Sequence, residues 1–186
     1  MSSKSLPNAA IVLALLATSA FVGENGTAIA VDAPSDVAGN RYVVGGSLLK
    51  TLDAFSSAAN LQSLARSEGD ELRVWTRDYM GGRIEGYVLS KSTSIKCLTT
   101  SHYTDGVVTI DRAGCQPWHK GSDALGALDA LSALNGKAWN CPIFDGSEVL
   151  LEGLRDGRRF ALRVGNPWAC KDSRSKAVMT VLNMVR

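Results

Sequence analysis

No Gly-x-Ser-x-Gly elbow, His-Glu-x-x-His pair, P-loop or dinucleotide-binding glycine fingerprint occurs in the chain. The common serine hydrolase, zinc protease and nucleotide-enzyme classes are therefore without a sequence signature. Histidine is scarce: His102 and His119 are the whole complement, so imidazole chemistry would have to use one of them. There are only 5 prolines, and hydrophobic residues at 45% with charged residues at 20% exclude a disordered chain. The net charge of +2 is too small to demand an acidic partner and argues against nucleic acid. Past residue 30 no apolar run approaches the roughly 17 to 25 residues of a membrane-crossing helix.

What is present begins with an export signal. Met1–Pro7 is short and polar with one cation, Lys4, and a charge-free apolar run from Ala9 to Val22 follows it. That run suits the core of a bacterial-type signal peptide and is too short for a membrane anchor. Ala28-Ile29-Ala30 offers a cleavage site before Val31, with Thr18-Ser19-Ala20 as an earlier alternative. No Arg-Arg pair precedes the run and no Cys follows it, so neither the twin-arginine route nor a lipid anchor is indicated. The expected organisation is a cleaved signal peptide over 1–30, a loose leader over 31–40, and one α+β domain over 41–186, periplasmic or secreted and not integral to a membrane.

Four cysteines, Cys97, Cys115, Cys141 and Cys170, lie in the mature part, and export makes their pairing the default. Of three possible connectivities one stands out, because each consecutive pair brackets a turn. Asp105-Gly106 sits midway between Cys97 and Cys115, and Asp156-Gly157 lies near the midpoint of Cys141 and Cys170. Disulfides Cys97–Cys115 and Cys141–Cys170 are expected, each worth about 3 kcal/mol by loop entropy. A rival reading makes Cys97-x4-His102 and Cys115-x3-His119 a zinc-like ligand set. An oxidising compartment disfavours it, and no metal or other cofactor is expected.

Periodicity then gives the architecture. Ser47 can cap an amphipathic helix running to about Ser67. Alternating segments at Leu72–Tyr79 and Ile84–Leu89, around Asp105-Gly106, and from Ser147 to Val164 read as three β-hairpins. Gly121-Ser122-Asp123 can start a second helix with Leu125, Leu128, Leu131 and Leu134, and Asp172-Ser173 a third with Val178, Val181, Leu182 and Val185. The fold expected is α+β, an antiparallel sheet of three hairpins with about three helices packed on one face and two disulfides. The Cys115, Trp118 and Trp168, Cys170 blocks also hint at a weak internal duplication.

Two functional expectations follow. From Leu151 to Arg186, eight basic residues against three acidic ones give +5. Arg155, Arg158, Arg159, Arg163 and Trp168 are thus a candidate binding face for an envelope protein, a polysaccharide or an anionic surface, and the chain reads as a non-enzymatic binding or accessory protein. The alternative is a small secreted hydrolase using His102 or His119, with Asp105 or Asp111 as orienting carboxylate and Ser101 or Ser122 as hydroxyl. The exposure of Trp75 and Tyr79 stays open, since a one-residue shift exchanges the faces of a strand.

Overall fold

A computed structural model describes residues 41–44, 46–78, 82–142 and 146–186, the side chain of Ser122 apart. The signal peptide and leader expected over 1–40 lie outside the described residues, as does Tyr79. Nine strands and three α-helices follow one another in the order β1 (Arg41–Val43), α1 (Leu48–Ala58), β2 (Glu71–Asp78), β3 (Arg83–Ser90), β4 (Ser94–Thr104), β5 (Val107–Asp111), β6 (Gly114–Pro117), α2 (Leu128–Ser132), β7 (Ala138–Asn140), β8 (Ser147–Arg155), β9 (Arg158–Gly165) and α3 (Ser173–Val185). One large sheet holds them in the order β1-β5-β4-β3-β2-β8-β9-β7, with β6 also pairing β4.

Both Asp-Gly turns fold as their chemistry requires. Asp105 and Gly106 have φ of 51° and 82°, and Asp156 and Gly157 have 49° and 75°. Two successive positive φ values match the right-handed twist of the strands they join. β5 and β6 run along the same side of β4 with one extra residue between them: Ser101 faces Ile110, but Leu98 faces Gly114. The Asp111–Ala113 stretch is therefore a β-bulge.

Two features of the sheet correct the sequence reading. The sheet is mixed, because β7 pairs β9 in parallel. Helices also cover both faces. Leu72 and Val74 of β2 join a core with α2 and α3, while Trp75, the next residue along, joins Phe55 and Leu52 of α1 on the other side. Trp75 is fully buried and stacks at 5.3 Å on Phe55.

α1 starts where expected, with Ser47 Oγ accepting from the Lys50 N–H. It stops at Ala58, well short of Ser67. Asn60 turns left-handed with φ 54°, and the Leu61 and Asn60 N–H groups bond back to the carbonyls of Ser56 and Ser57, a closing motif that ends a helix. The second helix opens as a 3₁₀ segment, Ser122–Ala127, before its five α-helical residues. α3 is capped by Asp172, whose carboxylate accepts from the Arg174 and Ser175 N–H groups.

The α1 face holds charge as well as apolar groups. Arg73 and Glu152, registered opposite each other on β2 and β8, are both essentially buried, at 2% and 1% exposure. Arg73 donates to Glu71 Oε1 at 2.6 Å, to Ser56 Oγ at 2.9 Å and to the Gln62 carbonyl at 2.8 Å. Glu152 accepts from Ser56 Oγ and from Arg159 Nη2. Buried charges tolerated in this way are paired and hydrogen-bonded throughout.

Candidate functional site

The cysteines pair as their spacing predicts. Cys97–Cys115 joins facing residues of β4 and β6, and Cys141–Cys170 ties the end of β7 to the segment before α3. Both sulfurs of the zinc-like set are thereby consumed. The histidines are also apart: His102 lies near the far end of β4, whereas the Trp118 N–H bonds the Ser94 carbonyl at its start, placing His119 about 25 Å away along the strand. Among the described residues no group of three potential ligands gathers.

His102 stands on a sheet surface that none of the described helices covers. On β4, β5, β1 and the Arg83–Glu85 end of β3, α1 packs against one side; the other side carries Arg83, Glu85, Lys96, Leu98, Thr100, His102, Asp111 and Arg41, and farther along β3 that same side, with Tyr87 and Leu89, is buried in the core of α2 and α3. Asp111 is the hub. His102 Nε2 lies 2.7 Å from its Oδ2, Thr100 Oγ1 donates to the same oxygen at 2.7 Å, and Arg41 Nε donates to Oδ1 at 3.1 Å. The His102 hydrogen bond, aided by that of Thr100, holds the Asp111 carboxyl below its ordinary range.

Among the described residues the remaining parts of a hydrolase do not gather there, the side chain of Ser122 lying outside them. The hydroxyl beside the dyad, Thr100, is spent on the carboxylate rather than offered to the imidazole. Ser101 Oγ donates to the Gly82 carbonyl from the opposite side of β4. Asp105 occupies the exposed turn. Nearby, Arg83, Leu98, Thr99, Thr100, Asp111 and Arg112 line an open hollow of about 400 Å³ at the bulge.

The arginines of the candidate binding face are mostly engaged from within. Arg155 donates to Asp70 at 2.5 Å and to Asp129 at 2.8 Å. Arg159 donates to Glu152 at 2.6 Å and to Asp53 at 3.2 Å, and Arg163 pairs with Glu148, which also meets Arg77. Arg158 and Arg163 are the exposed ones of the four, and Arg158 makes no contact with a described polar partner. Trp168 is 44% exposed, but it follows the end of β9 whereas Arg158 begins that strand, about 25 Å away. The five residues thus divide between two ends of the sheet.

Arg155, Arg158 and Arg159 nevertheless share a groove of about 490 Å³ with Asp129, Ser132, Asn135, Asp156 and Phe160. The other tryptophans are structural. Trp118 Nε1 donates to the Val185 carbonyl, and Trp139 Nε1 donates to Ser175 Oγ beneath the Arg174 guanidinium.

The arrangement defines a mixed α/β fold with a large sheet and two disulfides. Set against known proteins, the chain matches no family model and no curated sequence.

Proposed function

We propose that this is an exported, periplasmic or secreted, non-enzymatic binding or accessory protein of the cell envelope, built on three β-hairpins and braced by its disulfides. Its contact surface is the side of β4, β5, β1 and the Arg83–Glu85 end of β3 that no described helix covers. That bare surface is the observation that carries the reading. Four cations, Arg41, Arg83, Lys96 and Arg112, stand there or at its hollow against two carboxylates, Glu85 and Asp111. Leu98, 40% exposed, lies among them. An apolar centre with a charged rim suits an acidic protein partner. The disulfides, and the lack of any described helix long and apolar enough to cross a membrane, support export of a domain that works outside the bilayer.

A photo-cross-linking residue at Leu98, used in intact cells, tests the surface. A discrete adduct is expected that is lost in the Arg83→Glu/Arg112→Glu variant, with none from the same residue at Lys176 on α3. If Leu98 yields no more adduct than Lys176, the contact surface is wrong.

One distance favours a second reading, hydrolysis: the 2.7 Å between His102 and Asp111. Its test is turnover of an activated ester by the purified protein. Activity lost in His102→Gln supports the reading, and no turnover above that variant removes it.

A further inference from the structure

We infer that the groove at the β8–β9 turn is a separate site for a sugar acid, a ligand whose rings each bear one carboxylate among hydroxyls. Its cavity, about 490 Å³, is the size of a small-molecule site. Of the three guanidiniums on its wall, Arg155 is answered by Asp70, Asp129 and Asp156 and Arg159 by Glu152 and Asp53. The cation left over is Arg158, exposed and without a polar partner among the described residues.

Arg155 and Arg159 are fixed from behind by Asp70, Asp129, Glu152 and Asp53, so they present their remaining N–H groups without the entropy loss of a free arginine. Asn135 is fixed too. Its Oδ1 accepts from the Ala161 N–H at 3.0 Å, which leaves the amide nitrogen as a donor. Arg158 supplies the charge-assisted contact to a carboxylate. Asn135, Ser132 and the 75% exposed Asp129 supply the mixed donors and acceptors that hydroxyls need.

The same lining argues against other ligands. A phosphate or polysulfate concentrates more negative charge on the groove than a single carboxylate does, and Asp129 and Asp156 would repel it more strongly. A flat aromatic ligand would find no stacking surface, because the Phe160 ring is 2% exposed. A neutral sugar would leave the Arg158 charge unanswered.

The test uses the disulfide-bonded protein and digalacturonic acid as ligand, followed by amide chemical shifts, with galactobiose and inorganic phosphate as comparisons. Saturable shifts at Asn135, Arg158 and Arg159 are expected with the diacid, and about tenfold weaker binding of galactobiose. Arg158→Ala, which breaks no internal contact, should weaken the diacid about tenfold. Asn135→Asp keeps the acceptor for Ala161 but replaces the donor with a like charge, and should also weaken it. The inference is overturned if the diacid gives no saturable shifts, if phosphate or galactobiose binds as well, or if Arg158→Ala binds unchanged. These outcomes are independent of the Leu98 cross-link, so either site can fail alone.

Discussion

A cross-strand glycine under an aromatic ring recurs in the sheet and sets the tolerance of single positions. Gly86 faces Trp75, and a Cβ at Gly86 would come within 2.2 Å of the indole; Gly153 faces Phe160, with a corresponding approach of 2.4 Å. The ring fills the space that the missing side chain leaves. Gly86→Ala is expected to cost about 3 kcal/mol in chemical denaturation. Gly126→Ala, with nothing within 4 Å, should be close to neutral. Glu152→Ala strips the counter-charge from Arg73 and Arg159 and should cost about 3–5 kcal/mol. Asp111 gives a pH signature. Its lowered carboxyl value means that the stability it contributes is present above the ordinary carboxylate range and is lost as the pH falls through its folded-state value. In His102→Ala the Asp111 titration followed by NMR should move up towards the ordinary value; an unmoved curve would show that the imidazole is not its main partner.

Individual elements differ in how plainly the sequence announces them, and the differences have physical reasons. Asp-Gly turns and the Ser47 and Asp172 caps act through neighbours in sequence, so they were legible. The early end of α1 was equally local, since Asn60 followed by Leu61 is a closing signal that the longer run of leucines obscured. Strands β2 and β8 mislead for a different reason. Alternating charged and apolar residues look like one wet face, yet Arg73, Glu148 and Glu152 are buried because partners from other strands and from α1 neutralise them. Likewise the basic run after Leu151 is balanced by Asp53, Asp70 and Asp129, residues far away in sequence. Only the assembled sheet reveals that the free surface is around Asp111. At this scale the disulfides can be compared directly. Loop entropy predicts losses of about 3 and 3.5 kcal/mol on replacing Cys97–Cys115 and Cys141–Cys170 by serine pairs, measurable in urea.

At the largest scale, the described residues form a large mixed sheet covered over part of its area by α1 on one side and by α2 with α3 on the other, and none of the described helices covers the second side of the β4–β5–β1 region. The proposed export would account for the disulfides and leave a chemical record. Protein isolated from its native compartment should begin at Val31 and carry four oxidised cysteines by mass spectrometry; an intact Met1 with four free thiols would refute the compartment.

The parallel edge strand β7 spans three residues, and Cys141 follows it directly. So short a ladder holds weakly on its own, and the covalent tie to Cys170 keeps it in place. Once reductant cuts that tie, β7 can peel away and uncover the Arg163–Gly165 stretch of β9, which extends its free hydrogen-bonding rim as an adhesive template for a neighbouring chain. Fibrillar self-association that begins on reduction, and that a proline placed in β9 suppresses, is the hazard against which this cystine guards.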